Sequence, residues 1–167
     1  MTARYINLHF ALTLNGTGCM TSLVRELGKS NVSLAGITYS RLTGYDVTRV
    51  KDAVVIHSGD TQQINGFALV LRGPFRKSLV SWTPCSRILQ ARIAHRHGHL
   101  TVVVVYALTE MTSDSIKDSF YNQLSAIIQS TSPHDNLIVL GNLTAVAGSA
   151  NLGTSGVVGA IRLGHAK

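Results

Sequence analysis

The run "LTVVVVYAL" (100–108) limits what this chain can become more than any other stretch, because four consecutive valines cannot alternate between a wet and a dry face. β-Branched side chains favour extended backbone, and an unbroken apolar run of this length suits a strand buried on both faces. Such a strand lies in the middle of a sheet, with neighbours along both edges and a layer of structure over each face. The rest of the chain has to supply those neighbours and layers.

It contains the parts. "YINLHFALTL" (5–14) reads as a strand that stops at the turn-forming "NGTG". "VSLAGITYS" (32–40), "DAVVIHSG" (52–59), "FALVLR" (67–72), "SLVSW" (78–82), "RILQARIAH" (87–95) and "NLIVLGNL" (136–143) read as further strands, with Asn65-Gly66 marking a tight turn. Met20, Leu23, Val24 and Leu27 repeat at i, i+3, i+4, i+7, and Ile116, Phe120, Leu124, Ile127 and Ile128 recur at helical spacing, which predicts helices over 20–30 and 113–130. Asp114 and Asp118 fall near the start of the second, where the helix dipole favours anions. The glycine-rich "GSANLGTSGVVGAIRLG" reads as loop. Strand, helix, several strands, helix, strand, with no repeat or linker, predicts one α/β domain over residues 1–167.

Composition narrows the partners. At 45% apolar and 14% charged residues the chain is too hydrophobic to remain disordered. Fifteen Lys+Arg against eight Asp+Glu give a net charge of +7, which favours polyanions such as nucleic acid. The cations are scattered, as at Arg72, Arg76, Lys77, Arg87, Arg92 and Arg96. No apolar run reaches the roughly 18 residues of a membrane span, so no membrane association is expected. Cys19 and Cys85 suggest neither a disulfide framework nor a zinc site, and an intracellular location, nuclear or cytoplasmic, is the expectation.

Six segments, "LTLNGTG", "LAGITYSRL", "NGFALVL", "SRILQARI", "VVVVYALT" and "IVLGNLTAVAG", occur in an order and spacing that resembles the endonuclease/exonuclease/phosphatase superfamily. Within it the chain resembles the branch of craniofacial development protein 2 and the non-LTR retrotransposon endonucleases, whose corresponding segments read "TWNVRTL", "GISETRW", "NGVGFLL", "DRIITARF", "CYAPT" and "GDFNA". The resemblance covers roughly residues 5–164. It implies a DNase I-like α/β sandwich, two packed sheets flanked by helices, here C-terminally truncated before the family's last strands. It also implies Mg²⁺-dependent phosphodiester hydrolysis of nucleic acid, in which the metal takes hard oxygen ligands and neutralises charge on the phosphate under attack.

Carried over residue by residue, the resemblance places Asn15, Tyr106 and Asn142 at remnant catalytic positions and Arg41 and Thr144 where the phosphate would be contacted. Tyr39 stands at the metal-binding glutamate of "SETRW", and Asn142 stands at the aspartate of "GDFNA". Neither is a carboxylate, so Mg²⁺ binding is expected to be weak or absent. Leu14 and Leu42 replace the two tryptophans of the pattern, which alters the cleft floor. The family's catalytic histidine lies beyond the matched region, and His165 is not expected to substitute for it. The expectation is an impaired endonuclease. The alternatives are a non-enzymatic domain binding nucleic acid or protein, and a retrotransposon-derived fragment without selected function; an exposed sheet edge would also permit self-association.

Three further features compete with blander readings. His95, His97 and His99 in "HRHGH" share one face if extended, as a transition-metal site would, but Gly98 favours a hairpin turn. Trp82 in "SWTP" reads as packing at a strand end, with stacking on a base as the other reading. Glu110 and Asp114 are candidate replacement acids that a helix start also explains, while His134 and Asp135 read as structural turn residues.

Overall fold

The computed structural model describes residues 5–9, 14, 18–59, 66–85, 87–106, 108 and 112–142. In chain order the elements are β1 (Tyr5–His9), α1 (Cys19–Lys29), β2 (Leu34–Thr38), β3 (Gly44–Val50), β4 (Ala53–Gly59), β5 (Gly66–Arg72), a short 3₁₀ helix (Gly73–Lys77), β6 (Leu79–Cys85), β7 (Ile88–His95), β8 (Gly98–Tyr106), α2 (Asp114–Ser130) and β9 (Asn136–Asn142). They form two sheets, ordered β1-β2-β5-β4-β3 and β6-β7-β8-β9. The valine run lies in β8, between β7 and β9, and every residue from Leu100 to Tyr106 is buried.

Three apolar layers hold the sandwich together. Alternate residues of both sheets, among them Leu34, Ile56, Phe67, Leu69, Leu89, Val102, Val104, Ile138 and Leu140, fill the space between the sheets. The other face of the first sheet packs Ala35, Ile37, Val55 and Val70 against Leu23, Val24 and Leu27 of α1. On the outer face of the second sheet, Val103, Val105 and Val139 meet Phe120 and Leu124 of α2. The period-2 strand pattern and the helical stripes thus meet at every interface. Each sheet also holds one parallel pair joined through a helix: β1 and β2 through α1, and β8 and β9 through α2.

The sequence pattern does not reveal β3. "GYDVTRV" offers no continuous apolar face, since Tyr45, Asp46 and Arg49 are exposed and only Val47, Thr48 and Val50 are partly covered. Its strand character comes from pairing with β4 along the whole length of a hairpin whose tip holds Lys51 at φ +51°. β6 also runs past the predicted end at Trp82, to Cys85, because β7 offers ladder partners up to Ile88. Asn65 lies outside the described residues.

Two polar groups sit against these layers. The Asp135 carboxylate, 3% exposed, accepts from Arg92 Nε at 2.7 Å, Arg92 Nη2 at 3.1 Å and Thr101 Oγ1 at 3.1 Å, which ties the entry to β9 onto the outer face of β7 and β8. The hydrogen bonds from Arg92, with its charge, hold that carboxyl below the usual aspartate range. His57 of β4 is buried, and its Nδ1 has no hydrogen-bond partner among the described residues.

Burial pushes the His57 imidazole below its ordinary pKa of 6.5, with Asp46, its register partner on β3, opposing the shift. The unfolded chain therefore binds the proton more readily than the folded one near and below that pH, so this contribution is complete above about 6.5 and is lost as the pH falls. Urea denaturation at pH 7.5 and pH 5 should give the lower midpoint at pH 5. His57→Leu should flatten the dependence over that interval; an unchanged slope would show that His57 does not carry it.

Candidate functional site

Parallel strands leave their carboxyl ends on one side, and ligand sites of α/β sheets favour that side. Here the two parallel pairs bring their ends to the same end of the sandwich, because the residue following β2 touches the last residue of β8. The Tyr39 and Tyr106 rings meet edge to face, with centroids 4.8 Å apart and planes at 83°. Tyr106 is 4% exposed and belongs to the inter-sheet core, and the half-buried Tyr39 packs against that core. Asn142, the last residue of β9, is the register partner of Tyr106.

The backbone beyond β2 is held in an unusual path. Tyr39 (φ +62°) and Arg41 (φ +54°) both adopt left-handed conformations, each costing on the order of 1–2 kcal/mol for a residue other than glycine. Between them Ser40 is fully buried and acts as the tie point. Its amide donates to the Gly66 carbonyl at 2.8 Å, its carbonyl accepts from the Leu14 amide at 3.0 Å, and its Oγ accepts from the Leu42 amide at 3.4 Å. Those bonds fasten the end of β2 to the start of β5 and to the segment after β1. The path crosses two glycines: a Cβ at Gly59 would overlap the Leu42 carbonyl oxygen, and one at Gly66 would overlap Ser40 Oγ.

Of the residues singled out from sequence, Tyr39, Tyr106 and the backbone of Asn142 lie together at this strand end. Arg41 is exposed on the crossing segment. Asn15 and Thr144 lie outside the described residues, as do Glu110 and His165. Leu14, the residue before Asn15, is buried and bonded to Ser40, and Leu42 is buried in the same layer beneath α1. Asp114 is exposed and pairs with Lys117 at 3.4 Å.

The histidine cluster is a hairpin. His95 pairs with Gly98 across its turn, its ring stacks on Phe75 with centroids 6.3 Å apart, and His99 Nδ1 faces the Asp135 carboxylate at 3.9 Å. The His95 and His97 rings lie 6.1 Å apart at a tilt of 52°, while His99 turns to Asp135, so the three imidazoles do not share one set of surroundings.

Sequence reasoning missed two members of the strand-end cluster. Ser40 has no chemical motif of its own, and its role depends on two positive-φ neighbours. Arg87 places its guanidinium carbon 5.5 Å from the Tyr106 ring centroid, within cation–π range, and its carbonyl accepts from the Tyr106 amide at 2.9 Å. Its position in "SRILQARI" marks it as part of a matched segment but gives no hint of the ring it covers.

The described residues at this strand end do not fit a resident magnesium ion. Mg²⁺ is bound through carboxylates and water in near-octahedral geometry, and this cluster offers a phenol packed against another aromatic ring and a guanidinium. Among the described residues no group of three or more His, Cys, Asp or Glu is placed to hold a metal.

No protein-family profile matches the chain. Craniofacial development protein 2 of Bos taurus is 25% identical over 149 residues, a match covering 88% of this chain and 25% of that protein. The Tragulus javanicus protein of the same name is 24% identical over 149 residues, with 88% and 26% covered. The chain thus spans about a quarter of the length of the curated relatives it matches. Among solved structures, the endonuclease domain of TRAS1, a telomere-specific non-LTR retrotransposon, superposes with a TM-score of 0.55 at 14% identity, covering 83% of this chain and 58% of that one. D. rerio TDP2 complexed with single strand DNA product gives 0.56 at 12% identity, covering 86% and 60%. Both structures are members of the DNase I-like superfamily.

Proposed function

We propose that this chain, which has the DNase I-like α/β-sandwich fold, is an endonuclease-related domain that keeps the strand-end frame for a nucleic-acid phosphate and lacks the charged groups that would hydrolyse it. The observation that carries this reading is Tyr39. At the position where the resemblance expects the metal-binding glutamate, a half-buried phenol ring lies edge-on against Tyr106. Loss of acid–base groups alone removes about 10²–10⁴-fold from a rate, before any loss of metal is counted.

On this reading Asn15, Tyr106 and Asn142 are remnant catalytic positions, and Arg41 and Thr144 contact the phosphate. The ligand is nucleic acid, DNA in the first instance, and the protein acts inside the cell, in the nucleus or cytoplasm. The net charge of +7 supports the binding half of the proposal. So do Arg41, Arg49, Arg76, Lys77 and Arg96, which form no ion pair among the described residues. Among the described residues no helix is long and apolar enough to cross a membrane.

The test is salt-dependent binding. Each phosphate neutralised releases condensed counterions, so three or four contacts should weaken binding to labelled duplex DNA on the order of a hundredfold between 50 and 200 mM salt. A linear fall of log K with log salt, read by fluorescence anisotropy, is the expected result. No binding at the low-salt end would sink the proposal.

A further inference from the structure

The chain's single tryptophan stands on the open side of the sandwich, where the outermost described strands of the two sheets face each other. Trp82 of β6 pairs with Ala91 of the inter-sheet core and packs partly against that core. Facing it from β3, Tyr45 is 71% exposed, and the two rings meet with centroids 6.4 Å apart and planes at 61°. Their contact spans the gap between the sheets, while most of the tyrosine ring remains in solvent.

Two exposed arginines flank Tyr45 along the chain, four residues to either side. Along β3, Tyr45, Val47 and Arg49 alternate onto the inter-sheet face, opposite Ser58, Ile56 and Val54 of β4. Arg49 is exposed about 13 Å along the strand from Tyr45, the rise of four extended residues. Arg41, also exposed, precedes Tyr45 by four residues. Neither arginine forms an ion pair among the described residues. The one carboxylate of β3, Asp46, belongs to the opposite face and pairs in register with His57. Val80, 54% exposed, lies at the β6 bulge between Leu79 and Ser81.

We infer that Tyr45 and Trp82 form a stacking platform for an unpaired base, with Arg41 and Arg49 holding the flanking phosphates. The occupant is single-stranded nucleic acid. A duplex keeps its base faces stacked inside and offers nothing for an exposed tyrosine ring to cover. A protein partner would need on the order of 800 Å² of complementary surface, far more than one tyrosine, half a tryptophan and one valine present. Exposed aromatic rings flanked by unpaired cations are the combination that binds single strands with little sequence preference. This inference rests on the nucleic-acid reading above and extends it from the strand end, through Arg41, to the open side of the sandwich.

Trp82 makes the test direct, because its emission reports on this patch alone. The full chain is titrated with a fluorescein-labelled oligothymidylate about fifteen nucleotides long, a span that fits typical single-strand sites. Label anisotropy gives total binding; in a parallel titration with unlabelled strand, Trp82 emission reports the platform. Quenching of Trp82 that tracks the anisotropy is expected. Tyr45→Ala should weaken binding about five- to a hundredfold, the usual worth of one stacked base, and Tyr45→Phe should restore it. Exposure of Tyr45 leaves the fold intact in both variants, which circular dichroism checks. Binding without any change in Trp82 emission, or equal affinity of Tyr45→Ala, would overturn the platform while leaving nucleic-acid binding in place. No binding of the strand or of duplex DNA would overturn both. A dimer in sedimentation that Tyr45→Ala converts to monomer would make the patch a self-interface and overturn the inference.

Discussion

Gly141→Ala should lower the thermal midpoint by about 10 °C or more, or abolish the cooperative transition altogether. Gly141 sits in β9 one residue before Asn142, at φ +138°, a conformation that L side chains rarely adopt. A Cβ there would overlap the Val105 carbonyl oxygen and approach Val105 Cγ2 to 2.9 Å. Val105 is fully buried in β8, inside the valine run, so it has no room to move aside. Backbone strain of about 1–3 kcal/mol and overpacking of similar size then act together against a total stability of about 5–15 kcal/mol. A midpoint within about 2 °C of the parent by calorimetry would contradict this account of how β8 and β9 meet.

The second large effect is expected at Tyr106. Truncation to alanine removes a buried ring from the inter-sheet core and takes away the surface on which Tyr39 and Arg87 rest. Aromatic-to-alanine changes in cores cost about 3–5 kcal/mol, and Tyr106→Ala should fall in that range by urea denaturation. Tyr106→Phe keeps the ring and should cost under about 1.5 kcal/mol. Because Tyr106 also sets the positions of Tyr39 and Arg87, Tyr106→Ala should weaken DNA binding at permissive temperature more than Tyr106→Phe does. Equal stability of the two variants would mean that the ring is not what joins the strand ends.

These residues show why some of the molecule is legible in its sequence and some is not. The valine run could only be an interior strand, and it is one. Helical stripes at Leu23, Val24 and Leu27 and at Phe120 and Leu124 face the sheets as their spacing requires. β3 escaped detection because its fold comes from ladder pairing with β4 rather than from a pattern of its own. Tyr39, Tyr106 and Asn142 could be singled out through the resemblance rather than through any pattern of their own, and the structure places them at one strand end. Ser40 and Arg87 could not, since their roles depend on backbone turns and on a ring approaching from a distant part of the chain. The histidines illustrate the converse: one face on paper divided once Gly98 closed the hairpin, with His95 and His97 side by side and His99 turned to Asp135.

On the proposed reading, binding of nucleic acid is separated from its hydrolysis. Arg41 and the other arginines without an ion pair among the described residues supply the positive charge, whereas the positions at which the resemblance expects carboxylates hold Tyr39 and Asn142. Attraction to a polyanion depends on the first set, and activation of water at phosphorus depends on the second.

Conversion of supercoiled plasmid to nicked circle, followed with excess protein in Mg²⁺ and in Mn²⁺, tests that separation most directly. The account predicts no conversion above a protein-free control, under conditions where the same preparation binds the plasmid. Metal-dependent nicking that Asn142→Ala abolishes would contradict it.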